Sequence, residues 1–218
     1  MPLTIDIVSD VVCPWCFVGK RKLAAALDLY AQERPDAPAP RVTWRPFQLN
    51  PQMPAEGMPR SEYVQRKFGR SGIEVYARVS QAGKTVDIDF AFDRIERQPN
   101  TLAPHALIAL AGEHGKQDAV VDALFHAYFL DGRDLTDMAT LTEVTTSAGM
   151  PREAVVACLA DEQARQAVAG EDEEARKMGV SGVPFFIFNG RYAVSGAQDP
   201  QTLLQAMLQS EAETADER

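Results

Sequence analysis

Ser9-Asp10-Val11-Val12-Cys13-Pro14-Trp15-Cys16-Phe17 links an alternating segment to a helical one, and its two cysteines set the reading of the rest. Upstream, Leu3 to Ser9 alternates, with Leu3, Ile5 and Ile7 to one side, and predicts a short strand. Downstream, Phe17, Leu23, Ala24, Leu27, Tyr30 and Ala31 recur at helical spacing, and the run stops before Arg34-Pro35 because a residue preceding proline resists the α region. Pro35 to Pro40 is a proline-rich loop, and Arg41 to Phe47 alternates as a second strand. The first fifty residues therefore read βαβ. Cysteines at i and i+3, the first at a helix N-terminus, have Cα atoms about 5 Å apart, inside the disulfide range. The unpaired amides and dipole of the first turn favour a thiolate at Cys13.

Two structural alternatives are a zinc half-site and a pair of inert thiols. Zinc needs four ligands, and neither a second CxxC nor His105, His114 or His126 stands at ligand-like spacing, so no metal is expected. Three cysteines do not make a disulfide framework, and a lone CxxC near a βαβ unit reads as redox chemistry. Cys158, in the apolar run Val155 to Leu159, reads as a structural thiol. The formal net charge of −9 and a sequence pI near 4.9 disfavour nucleic acid and anionic membrane surfaces as partners. No apolar stretch approaches the roughly 20 residues of a membrane span. The start, MPLTIDIVSDVV, has no basic n-region, so the expected location is cytoplasmic. Neither GxGxxG, P-loop, HExxH nor GxSxG occurs, and no nucleotide cofactor is expected.

Farther along, Asn50 to Arg60 is rich in proline and glycine and marks a boundary. Helices are predicted over 61–68, 101–114, 118–130, 137–147, 151–160 and 162–178, with Phe125, Tyr128 and Phe129 as a core stripe. The acidic run Glu171 to Glu174 reads as a solvated face, and Met53 and Met58 as a linker or an adaptable substrate lip. Asn189-Gly190, between Phe185–Phe188 and Arg191–Ser195, predicts a hairpin. Asp199-Pro200 opens a last helix through Leu208, ahead of a polar, fraying tail from Ser210 to Arg218.

Strand, CPWC, helix and strand, followed far downstream by Gly182-Val183-Pro184-Phe185-Phe186 before a hairpin, resemble the DsbA-like branch of the thioredoxin superfamily. Cys13-Pro14-Trp15-Cys16, Arg45-Pro46-Phe47-Gln48-Leu49-Asn50-Pro51, Asn100-Thr101-Leu102 and Val183-Pro184-Phe185-Phe186 look like its cytoplasmic FrnE-like subgroup. The resemblance implies an α/β thioredoxin-like fold, residues 1–52 and 178–218, interrupted by an all-helical insertion domain, residues 53–177. It also implies a cis Pro184 facing the dithiol, and a Val183 backbone that pairs with substrate.

The implied activity is thiol–disulfide exchange with protein or small-molecule disulfides. Cys13 and Cys16 carry it, Pro14 and Trp15 complete the motif, and no cofactor is needed. Strongly oxidising relatives carry a histidine between their cysteines, which Trp15 does not replace. Asp10 would oppose the thiolate if it pointed that way, and Lys20, Arg21 and Lys22 read as solvated helix-face charges. A less oxidising couple, between roughly −270 and −180 mV, is therefore expected. The rival class is the glutathione-dependent 2-hydroxychromene-2-carboxylate isomerases and kappa-class transferases, which share the interrupted fold but typically have serine at the position of Cys13. Glutathione could still serve as a substrate, held by Val183 and by amides of Gly196, Ala197 and Gln198 near the last helix.

Overall fold

The computed structural model describes residues 2–69 and 72–216. Strand β1 (Thr4–Ser9) runs into α1 (Pro14–Glu33) and returns as β2 (Arg41–Pro46), parallel to β1. The chain comes back to this sheet only at β5 (Phe185–Phe188) and β6 (Tyr192–Ser195), followed by α9 (Pro200–Asp216). The sheet order is β2-β1-β5-β6, with β5 antiparallel to both β1 and β6. Alternation sorts the side chains between two faces. Ile5 and Ile7, with Phe186 and Phe188, bury against α1 and α9 through Phe17, Leu203 and Met207. Val8 packs with Phe47, Ala175 and Val180 on the opposite face.

Between β2 and β5 lie β3 (Met58–Pro59), α2 (Arg60–Phe68), α3 (Gly72–Lys84), a 3-10 turn at Phe92–Arg94, β4 (Arg97–Gln98), α4 (Leu102–Glu113), α5 (Gln117–Phe129), α6 (Met138–Ser147), α7 (Arg152–Ala160) and α8 (Glu162–Lys177). This insert is helical apart from the two-residue antiparallel ladder β3·β4. Its helices begin and end where the local chemistry directs. The Asp137 carboxylate accepts from the amides of Ala139 and Thr140, Asp161 from Gln163, and Gly69 closes α2 with φ +61°. Phe17 of α1 stacks on Phe125 of α5 at 5.1 Å, so one hydrophobic core runs through sheet and insert alike.

Two sequence expectations are corrected, and one helix had not been delimited. The tail from Ser210 does not fray at its start: α9 continues to Asp216, because the Glu211 carboxylate accepts from the buried Tyr30 hydroxyl at 2.6 Å and meets Arg34 at 3.4 Å. Burial, then the hydrogen bond to Glu211 and that carboxylate's charge, push the Tyr30 hydroxyl up to about 12. Of that tail, Glu217 and Arg218 lie outside the described residues. The acidic run is not wholly solvated, since Asp172 is buried, accepts from the Gln48 amide at 2.9 Å and pairs with Arg176, whose guanidinium lies 4.1 Å from the Phe47 ring centroid. Helix α3 had no predicted counterpart; its glycine at 83 makes room for the Phe90 ring, which a Cβ there would meet at 2.6 Å.

Two glycines inside helices carry opposite expectations. A Cβ at Gly19 would stand 3.0 Å from Pro184 Cγ and 3.3 Å from Phe186 Cζ, whereas at Gly170 it would meet nothing within 4 Å. Denaturant unfolding should therefore show Gly19→Val destabilised by about 1–3 kcal/mol through overpacking. Gly170→Ala should be stabilised by up to ~1 kcal/mol through helix propensity.

Candidate active site: a dithiol at a helix N-terminus

Strand β1 ends beneath the first turn of α1, and the turn between them is closed by the Cys13 amide donating to the Asp10 carbonyl at 3.0 Å. Cys13 is the residue that caps α1, with extended dihedrals (φ −93°, ψ 109°), and Pro14 occupies the first turn, where no backbone donor is needed. The Cys16 amide then donates to the Cys13 carbonyl at 3.0 Å, which brings both thiols to the same end of the helix. Trp15 is half-buried against the main core.

The two thiols are not equivalent. Cys13 Sγ donates to the Val183 carbonyl at 3.5 Å, and the Val183–Pro184 peptide bond is cis. The Pro184 carbonyl is taken by the Gly196 amide at 2.8 Å, tying the loop to the start of the last connection. Both thiols are buried, Cys13 at 4% and Cys16 at 1% exposed, so their difference lies in their contacts. Burial, reinforced by the hydrogen bond and charge of Cys13, pushes the Cys16 thiol well above the ordinary value, against opposing contacts from the Ser9 hydroxyl and the Asp10 amide. Cys158, half-buried on α7, is likewise pushed up by burial.

Asp10 does not turn its carboxylate on Cys13. Its Oδ2 accepts from the Leu49 amide at 2.7 Å, and its Oδ1 stands 3.4 Å from Nε2 of the buried His105, which also lies 3.2 Å from the Phe47 carbonyl. Lys20, Arg21 and Lys22 are not free solvated charges. Lys20 pairs with Asp118 and Asp122, Arg21 with Asp122, and Lys22 donates to the Ala197 carbonyl at 2.9 Å, so the three fasten α1 to α5 and to the loop before α9. Met53 is buried with Tyr63 and Val64, which assigns it to packing and not to a lip.

Near the last helix, where amides of Gly196, Ala197 and Gln198 were expected to hold an anion, two of the three have partners within the chain. The Gly196 amide serves Pro184, the Gln198 amide donates to the Gly196 carbonyl at 2.9 Å, and the Asp199 carboxylate caps α9 by accepting from the Thr202 amide. Among the described residues no group of three or more His, Cys, Asp or Glu side chains could hold a metal ion. Sequence reasoning missed Ser9 and His105. Ser9 was accessible in principle as the residue at the strand end nearest the CxxC, whereas nothing local links His105 to Asp10.

The whole of this arrangement falls within residues 4–208, which match the DSBA-like thioredoxin domain family. The chain belongs to that family. A solved probable DsbA oxidoreductase from Streptomyces coelicolor is 31% identical, covering 97% of this chain and 91% of its own, with a TM-score of 0.86. A cytosolic disulfide reductase, DsbM from Pseudomonas aeruginosa, solved with GSH, is 19% identical over 98% of both chains (TM-score 0.63). A 2-hydroxychromene-2-carboxylate isomerase is 17% identical over 99% of both (TM-score 0.66). The last two likenesses show the shared fold alone.

The inequality of the thiols has a direct readout. Iodoacetamide labelling of the reduced protein near pH 7.5, followed by peptide mapping, should modify Cys13 well before Cys16, and labelling of Cys16 should accelerate as the pH rises because only its anion reacts. Equal rates at the two residues would contradict a Cys16 thiol raised above its neighbour's.

Proposed function

We propose that the chain is a thiol–disulfide oxidoreductase that exchanges electrons with protein or small-molecule disulfides through Cys13 and Cys16, without a cofactor. The observation that carries this reading is the placement of Cys13: it ends the loop into α1 and lies against the Val183 carbonyl, with Cys16 buried behind it. Cys13 as thiolate attacks one sulfur of a substrate disulfide, forming a mixed disulfide and releasing the other sulfur as thiolate. Cys16, once deprotonated, attacks the Cys13 sulfur, which closes the Cys13–Cys16 bond and releases the second substrate thiolate. Two electrons pass from the dithiol to the substrate, and the reverse sequence oxidises a substrate dithiol. The raised Cys16 thiol supports this division of labour, since a buried neutral thiol waits until the mixed disulfide forms.

The motifs that resemble the FrnE-like subgroup support a cytoplasmic setting in which reduction or isomerisation is the net direction. Glutathione is a candidate thiol partner on the same basis, with Val183 as its backbone contact. Pro14, Trp15 and Pro184 shape the surface around Cys13 in this reading.

Single-cysteine variants test it. Cys16→Ser should accumulate a mixed disulfide at Cys13, detected by mass spectrometry, and Cys13→Ser should abolish insulin reduction. Chromene-carboxylate isomerisation run in parallel provides the contrast. Wild type that fails to reduce disulfides, together with a Cys16→Ser variant that still isomerises efficiently, would assign the chain to glutathione-activated isomerisation instead.

A further inference from the structure

Beneath the cysteine turn lies a carboxylate that its surroundings only half satisfy. Asp10 is 0% exposed; its Oδ2 accepts from the Leu49 amide at 2.7 Å, while its Oδ1 has no hydrogen-bond partner. A buried polar atom left in this condition costs free energy, and its retention calls for a chemical reason. The group facing Oδ1 is the imidazole of His105 on α4, whose Nε2 is 3.4 Å away. That nitrogen also stands 3.2 Å from the Phe47 carbonyl, which can only accept, so Nε2 carries a proton.

His105 also faces outward. It lines a cleft of about 690 Å³ between β2, α4, α5 and α8. The charged groups around that cleft are Arg41 and Arg45 on β2, Glu113 on α4, Asp118 on α5 and Glu171 on α8, a polar lining that water and small bases can enter. On the inner side, Arg176, lying over Phe47, is already paired with Asp172, and burial pushes the Tyr128 hydroxyl of α5 far up. His105 therefore stands between solvent and a carboxylate that solvent does not reach. Asp10 in turn belongs to the turn that carries both thiols: its carbonyl accepts from the Cys13 amide at 3.0 Å, and its own amide, with the Ser9 hydroxyl, contacts the Cys16 thiol. A Cys16 thiolate and an Asp10 carboxylate buried in one turn repel each other, so either charge is favoured when the other group is neutral.

We propose that His105 is a positioning residue that relays protons between this cleft and Asp10, which exchanges them with Cys16. This rests on the dithiol couple proposed above. When a reducing thiolate attacks the Cys13 sulfur of the oxidised protein, a mixed disulfide forms, the Cys13–Cys16 bond breaks, and its electron pair leaves on Cys16. Asp10, protonated, gives its proton to that thiolate and is left as carboxylate. His105 takes a proton at Nδ1 from solvent in the cleft and passes the Nε2 proton to Oδ1, which restores the acid. A second thiolate of the reductant then displaces Cys13 from the mixed disulfide. Oxidation of the dithiol runs the same transfers in reverse.

The test is single-turnover reduction of the oxidised full chain by dithiothreitol, quenched in acid and read by mass spectrometry, with folding checked by circular dichroism. His105→Ala should slow the reduction about tenfold or more, and imidazole added to the buffer should restore most of the lost rate, because the cleft leaves room for it. His105→Gln, which keeps a donor beside Oδ1 but has no second ring nitrogen, should be slowed alike. Asp10→Asn should also be slow, and neither it nor wild type should gain from imidazole. A wild-type rate in His105→Ala, His105→Gln or Asp10→Asn would overturn the proposal, as would a slowed His105→Ala that imidazole leaves slow. If His105→Ala does not fold, His105→Gln decides on the same terms. A wild type that forms no Cys13–Cys16 disulfide would instead overturn the proposed function.

Discussion

The contact on which the molecule is organised is the seating of the Val183–Pro184 loop against the start of α1. Pro184 lies so close to the helix that a single Cβ at Gly19 would press on its ring, and in that position the Val183 carbonyl reaches Cys13 Sγ across 170 residues of sequence. The sheet explains how so distant a loop arrives there. Strand β5 pairs antiparallel with β1 in a register that sets Ile7 opposite Phe186 and Val8 opposite Phe185, so the residues just before β5 come level with the end of β1, from which the cysteine turn springs. Register thus delivers Val183 to Cys13, and the absence of a side chain at Gly19 allows the final approach.

The insert is more than a cover for this arrangement. Phe17, one residue past the dithiol, stacks directly on Phe125 of α5, and Lys20 and Arg21 hold the same two helices together at the surface. On the far side of the sheet, Asp172 fixes α8 to Gln48 at the end of β2, and His105 of α4 meets Asp10 under the cysteine turn. The helical residues therefore set the surroundings of both thiols. Both thiols are buried, Cys16 the more deeply and with its thiol pushed up, while Cys13 caps the helix against the Val183 carbonyl.

Much of this was legible from local chemistry. The first βαβ unit follows from alternation around Ile5 and Ile7, the placement of Cys13 from the proline after it, and helix limits from Asp137, Gly69 and Asp161, each acting within four residues. What was not legible depends on partners far away in sequence. Asp172 looks like any other member of an acidic run until Gln48 is brought beside it, Ser210 and Glu211 look like a polar tail until Asn189 and Tyr30 meet them, and Arg60 sits in a segment that reads only as the end of a loop. At Gly196 to Gln198 the same holds for two of the three amides, since those of Gly196 and Gln198 are taken by the Pro184 and Gly196 carbonyls.

The central claim is that Cys13 and Cys16 form one reversible two-electron couple. Equilibrating wild type across a series of glutathione buffers, quenching with acid and mapping the peptides measures it directly. The account predicts a single transition to an intramolecular Cys13–Cys16 disulfide, fitted by a two-electron curve with a midpoint between roughly −270 and −180 mV. Glutathione adducts accumulating on Cys158 alone, with Cys13 and Cys16 remaining thiols throughout the series, would contradict it.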